Sequence, residues 1–197
     1  MNGKGTLLMR DGSKYEGFFL KGVRHGYGRA YMPQGDVYEG EWIDGKIHGK
    51  GRYYRVNRDI LEGTWKDENY NGFGLDLDNL GTISFANLTV YEGEIGFGIP
   101  NGKGKMLYRD LSQYEGEFVS GLPHGYGTKT WEGERKCFKG HFKMGKMEGA
   151  GHFKWENGDN YQGSYHGNKK HGFGIMKWAK LNVVFEGEWV KGLQEGE

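Results

Sequence analysis

Eight times along the chain a bulky apolar residue is followed two positions later by glycine, and two further on by a second bulky residue. The copies are Tyr15-Glu16-Gly17-Phe18-Phe19, Tyr38-Glu39-Gly40-Glu41-Trp42, Leu61-Glu62-Gly63-Thr64-Trp65, Tyr91-Glu92-Gly93-Glu94-Ile95, Tyr114-Glu115-Gly116-Glu117-Phe118, Phe138-Lys139-Gly140-His141-Phe142, Tyr161-Gln162-Gly163-Ser164-Tyr165 and Phe185-Glu186-Gly187-Glu188-Trp189. Their starts are 23, 23, 30, 23, 24, 23 and 24 residues apart. Self-similarity at such a period specifies units that each bury a face against their neighbours, which sets aside a single compact core.

Side chains alternate across a strand, so Tyr38, Gly40 and Trp42 share one face while Glu39 and Glu41 share the other. Glycine weakens a strand interior, and its recurrence here has a steric cause: it leaves room for neighbouring rings to lie flat. A turn follows, as in Ile43-Asp44-Gly45-Lys46, and then a second strand opens on Gly-X-Gly. These elements are Gly26-Tyr27-Gly28, Gly49-Lys50-Gly51, Gly72-Phe73-Gly74, Gly102-Lys103-Gly104, Gly125-Tyr126-Gly127, Gly149-Ala150-Gly151 and Gly172-Phe173-Gly174. No segment has helical period and length. The expected fold is all-β: an elongated, twisted, single antiparallel sheet of tandem hairpins. One continuous array over 1–197 is expected, with a partial repeat at 1–14, repeats starting near 15, 38, 61, 91, 114, 138, 161 and 185, and an insertion within 76–90.

Composition narrows the function. Only 36% of the chain is hydrophobic while 15% is aromatic, so burial has to come from flat rings rather than a thick aliphatic core. The 27 basic and 26 acidic residues are interspersed, which leaves no general field for nucleic acid. The single Cys137 rules out an intramolecular disulfide framework. With no apolar run long enough to cross a bilayer and no signal-peptide pattern at the N-terminus, a cytoplasmic location is expected.

Tyr-Glu-Gly-Glu-Trp, an Asp-Gly turn, then His-Gly-X-Gly and an aromatic strand, as read from Tyr38 to Tyr54, resembles the MORN (membrane occupation and recognition nexus) repeat. The resemblance covers almost the whole chain. It implies a non-catalytic scaffold or protein-interaction module of the kind found in cytoskeletal, ciliary and membrane-associated assemblies, with no cofactor. Three departures stand out. The third copy begins with Leu61, has Glu68 and Asn69 where a turn glycine is usual, and carries extra residues before Tyr91; the fourth has Ile95 and Gly96-Phe97-Gly98; and both ends fall inside a repeat.

Motifs that could carry chemistry have structural explanations. His25, His48, His124 and His171 recur at one repeat position, with Asn71, Asn101, Glu148 and Glu195 in the other copies. Equivalent positions in successive hairpins lie roughly 10 Å apart, too far for shared zinc ligation at about 2 Å, so hydrogen bonding in the turn is expected and no metal. The Gly-X-Gly elements never extend to a phosphate-binding loop. Glutamates spread along a strand face suit partners of Lys and Arg on neighbouring strands better than a glycosidase pair. The chain reads as a non-enzyme.

Three functions remain open. The first is a scaffold whose aromatic face binds a partner peptide or helix, or a second copy of the chain as a homodimer, through Tyr15, Phe19, Tyr38, Trp42, Trp65, Tyr114, Phe118, Tyr161 and Trp189. The second is binding to phosphoinositide or another acidic phospholipid through a basic edge of Lys21, Arg24, Lys46, Lys143, Lys146, Lys169 and Lys170. The third is a regulatory repeat domain of a larger enzyme.

Overall fold

The computed structural model describes residues 1–68, 77–131 and 135–195, with the side chains of 66–68 and 77–79 left aside. Among the described residues there is no helix, and seventeen strands belong to one open antiparallel sheet. The chain divides into two compact units, 1–100 and 101–197.

The first unit contains β1 (Gly3–Leu8), β2 (Lys14–Leu20), β3 (Val23–Tyr31), β4 (Val37–Ile43), β5 (Lys46–Tyr54), β6 (Ile60–Glu68), β7 (Leu77–Ser84) and β8 (Val90–Gly96), each paired with the next. In the second, β9 (Ile99–Leu107), β10 (Gln113–Val119), β11 (Leu122–Trp131), β12 (Lys136–Lys143), β13 (Lys146–Lys154), β14 (Asn160–His166), β15 (Lys169–Trp178), β16 (Val183–Val190) and β17 (Leu193–Glu195) repeat the pattern.

Glycine sets the register. In the first unit Gly5, Gly17, Gly28, Gly40, Gly51, Gly63, Gly81 and Gly93 stand opposite one another in a line across β1 to β8. Gly104, Gly116, Gly127, Gly140, Gly151, Gly163, Gly174 and Gly187 make the same line across β9 to β16. In the interior of the line a Cβ does not fit: one added to Gly40 would stand 2.6 Å from the Gly51 Cα.

The two glycines of Gly-X-Gly therefore do different work. The second joins the line; the first forms a bulge, as where Gly40↔Gly51 is followed by Trp42↔Ile47, leaving one residue of β4 opposite three of β5. Gly49 lies in that bulge at φ 63°. The hairpin closes at Asp44 (φ 49°) and Gly45 (φ 83°), the paired positive values of a type I′ turn. Between hairpins, five-residue turns are tied to the next turn: Asp36 accepts the Val56 N–H at 2.8 Å, and Asp159 that of Ala179 at 2.8 Å.

The extra residues of the third repeat lie elsewhere than expected. Eleven positions separate Gly40 from its partner Gly51 within the hairpin, whereas eighteen separate Gly63 from Gly81. The added length thus falls between β6 and β7. The stretch within 76–90 that was expected to be an insertion contains β7, paired on both sides, and an ordinary turn closed by Phe85 N–H to Thr89 O at 2.8 Å. Asn69, Asn71 and Gly72-Phe73-Gly74 lie outside the described residues, as does Gly196.

Candidate functional site

All nine aromatic residues expected to receive a partner are buried. Tyr15, Tyr38, Trp42, Trp65, Tyr114 and Tyr161 are 0% exposed, and Phe19, Phe118 and Trp189 no more than 4%. This corrects the expectation of an open aromatic face. Each tyrosine ring lies flat over a glycine pair, so that a Cβ on Gly163 would meet the Tyr161 hydroxyl at 2.5 Å. The ring edges then meet neighbouring faces. Tyr15 stands 5.2 Å from both Phe19 and Trp42, and Tyr38 follows at 5.4 Å from Trp42 and 5.6 Å from Trp65, all near perpendicular. In the second unit Tyr114, Phe142, Phe138, Tyr165, Tyr161 and Trp189 continue the edge-to-face pattern.

Most polar edges of these rings are satisfied, the buried Tyr165 hydroxyl being without a hydrogen-bond partner among the described residues. The indole N–H groups of Trp42, Trp65 and Trp189 donate to the carbonyls of Gly28, Gly51 and Gly174 at 3.3, 3.1 and 3.3 Å. The Tyr15, Tyr38 and Tyr161 hydroxyls donate to the carbonyl three residues on. Burial pushes the Tyr114 and Tyr161 phenols up to about 12, with Glu117 and Glu188 adding to the effect. This face is the core.

The opposite face carries the X residue of Gly-X-Gly and position two of each copy. Tyr27 is 55% exposed, Tyr126 50% and Phe173 54%. In the first unit a row of facing residues alternates in charge: Glu16, Arg29, Glu39, Arg52 and Glu62 stand opposite one another in turn. Arg52 grips Glu62 through two hydrogen bonds of 2.9 and 3.1 Å, and the Tyr27 hydroxyl donates to Glu39 at 3.2 Å.

In the second unit the equivalent row reads Lys105, Glu115, Thr128, Lys139, His152, Gln162, Ile175 and Glu186. A trough of about 510 Å³ opens over its middle, lined by Tyr126, Lys139, His141, His152, Phe173 and Ile175 among others. The Tyr126 and His141 rings meet edge to face at 5.3 Å.

The expected basic edge is only partly available. Arg24 donates to the Gly45 carbonyl at 2.7 Å and lies 4.4 Å over the Trp42 ring. Lys170 sits 3.6 Å over Trp189, and burial lowers its ammonium pKa. Both long side chains thus cover the core. Lys21 and Lys46 lie near the turns of the first unit; Lys143 faces Lys146, and His166 faces Lys169, in the second.

The turn hydrogen bonds expected of the recurring histidines are not made through the buried Nδ1 atoms of His25 and His124, which have no hydrogen-bond partner among the described residues. At the same repeat position Glu148 accepts from the Gly167 N–H at 2.9 Å and binds His166 Nδ1 at 2.8 Å. The first contact, then the second, holds its carboxyl below the usual range. Among the described residues no three His, Cys, Asp or Glu side chains are grouped to hold a metal ion.

Sequence reasoning overlooked Tyr27, Tyr126 and Phe173 as exposed rings on the face opposite the core. The signal was present: if the flanking glycine faces the rings, X faces away from them.

No curated protein matches the chain in sequence. Of solved structures, the wild-type TCP10 domain of Danio rerio CPAP aligns with a TM-score of 0.54 at 11% identity, covering 93% of this chain and 83% of that one. The SAS-4 (dCPAP) TCP domain of Drosophila melanogaster, in complex with a proline-rich motif of Ana2 (dSTIL), aligns with a TM-score of 0.46 at 12% identity, covering 93% and 88%. The former likeness is one of fold alone. The MORN repeat model matches residues 15–37, 38–60, 91–113, 114–133, 138–160, 161–183 and 185–197, most of the chain, and with the ring-over-glycine hairpins described above it shows that this protein belongs to the MORN-repeat family.

Proposed function

We propose that this chain is a non-catalytic scaffold that holds a segment of a partner protein, or a second copy of itself, against the sheet face opposite the aromatic core. The observation that carries this is the exposure of Tyr27, Tyr126 and Phe173 at one repeat position on a face the core does not use. Large amphipathic rings beside charged groups are what interfaces select, because they bury area at low entropic cost. The Arg52–Glu62 pair on this face ties neighbouring strands together. Membership in the repeat family supports an interaction role.

The test replaces Tyr27, Tyr126 and Phe173 together by alanine. Each removal from an open surface should change stability by no more than about 0.5 kcal/mol, so the variant remains folded. Partners recovered quantitatively by the wild-type chain, and any self-association seen by sedimentation, should be lost. A folded triple variant that keeps both would refute the assignment of this face.

A further inference from the structure

The open faces of the two units differ in charge at the same register. In the first unit every cation of the central row has a carboxylate on at least one side: Arg29 lies between Glu16 and Glu39, and Arg52 between Glu39 and Glu62. In the second unit the row from β11 to β14 reads Thr128, Lys139, His152 and Gln162, two basic side chains with no acid opposite either. The neighbouring row adds His141 beside Tyr126 on one side and Phe173 on the other side of the trough. Cross-strand neighbours stand about 5 Å apart, close enough for opposite charges to stabilise a pair. Here that opposite charge is missing.

We propose that the open face of β11 to β15 receives a partner segment bearing carboxylates among apolar side chains. This rests on the assignment of the open face above and names the chemistry of its occupant. Tyr126 and Phe173 flank the trough and grip the apolar groups; Lys139, His152 and His141 meet the carboxylates. The groups facing the histidines fit that role. His152 faces Lys139 on β12 and Gln162 on β14, and His141 faces Tyr126 on β11 and the Glu148-Gly149-Ala150 bulge of β13, whose Glu148 carboxylate is taken up by His166 and the Gly167 N–H. The other carboxylates nearest in register are Glu115 and Glu117 on β10, and Glu186 and Glu188 on β16, where Glu188 faces Phe173 at the rim of the trough. Lys139 and His152, at the middle of the row, face no carboxylate.

The probe is a library of random peptides displayed on phage, selected on the full chain. Selected peptides are then synthesised and titrated by fluorescence polarisation. Recovery of sequences rich in Asp or Glu beside aromatic or aliphatic residues is expected, with affinity falling about five- to tenfold as salt is raised from about 50 to about 500 mM. Lys139→Gln should weaken binding and flatten that salt dependence, and His141→Gln combined with His152→Gln should weaken binding further.

Peptides without acidic enrichment, or acidic peptides whose affinity ignores salt, Lys139 and the histidines, overturn this inference. If such peptides still depend on Tyr126 and Phe173, the open face stands as a binding surface. Peptides indifferent to every open-face substitution overturn both. Vesicles containing phosphatidylserine form a second arm: Lys139-dependent vesicle binding without acidic peptide recovery assigns the patch to a membrane and also overturns the inference.

Discussion

Replacing Gly163 by alanine should cost far more stability than the same change four residues later at Gly167. A Cβ at Gly163 would lie 2.5 Å from the Tyr161 hydroxyl, 2.7 Å from its Cζ and 2.6 Å from the Gly174 Cα. Neither the ring nor the facing backbone can remain in place. Overpacking of a tight site costs about 1–3 kcal/mol. Displacing Tyr161 also disturbs its edge-to-face contacts with Tyr165 and Trp189, both at 5.3 Å, worth about 0.5–1.5 kcal/mol each. A loss of about 3–5 kcal/mol is expected from these terms. At Gly167, by contrast, a Cβ meets nothing within 4 Å and suffers only from φ of 55°, at about 1 kcal/mol. Urea titration followed by circular dichroism, with the two variants compared at equal m-value, separates the outcomes. If Gly163→Ala costs no more than Gly167→Ala, the glycine line is not what seats the rings.

Three further outcomes follow from the same packing. Trp42→Phe removes the N–H that the buried Gly28 carbonyl accepts and shrinks a fully buried ring, so unfolding measurements should show a loss of about 2–3 kcal/mol. At alkaline pH, burial raises the Tyr114 and Tyr161 phenols from 10.0 to about 12. Their contribution to stability is therefore intact below pH 10 and lost as pH rises toward 12, and the part of the tyrosinate absorbance that Tyr114→Phe and Tyr161→Phe remove should change together with circular dichroism rather than before it. At the acid end, the Glu148 carboxyl is lowered from 4.5. What it contributes is present above that value and lost as pH falls below it, so Glu148→Gln should remove this part of the acid sensitivity in a pH-dependent melting series.

The hairpins and the gathering of the aromatic residues on one face were legible because strand alternation is strict and the period is strong. Which face a partner could touch was not. Tyr38, Gly40 and Trp42 look alike whether their rings stand open or seal one another, and the difference arises only when Gly40 and Gly51 come opposite and remove every Cβ from beneath the ring. The third repeat misled for a related reason. Gly74 stands at the usual eleven positions from Gly63, so spacing alone marks the Gly-X-Gly there, whereas the register selects Gly81. Arg24 and Lys170 were misread as a basic edge because their aliphatic stems cover Trp42 and Trp189, a contact between residues eighteen or nineteen positions apart that no local pattern announces.

The division of labour within Gly-X-Gly explains how one repeat can carry different surfaces. The second glycine is held by the ring it supports and the first by the bulge, yet X touches neither task. In this chain X is Tyr27, Lys50, Lys103, Tyr126, Ala150 and Phe173, an amphipathic, charged, small or apolar residue in turn, while the flanking glycines stay the same. Position two behaves alike: Glu39 and Glu62 complete an alternating charge row, whereas Lys139 and Gln162 interrupt the corresponding one. Substitution on the open face therefore alters the surface at little cost to folding, and substitution in the glycine line does the reverse. A row that is charge-balanced in one unit and basic at its middle in the other, over the same ring-on-glycine packing, would let the proposed scaffold distinguish partners by charge.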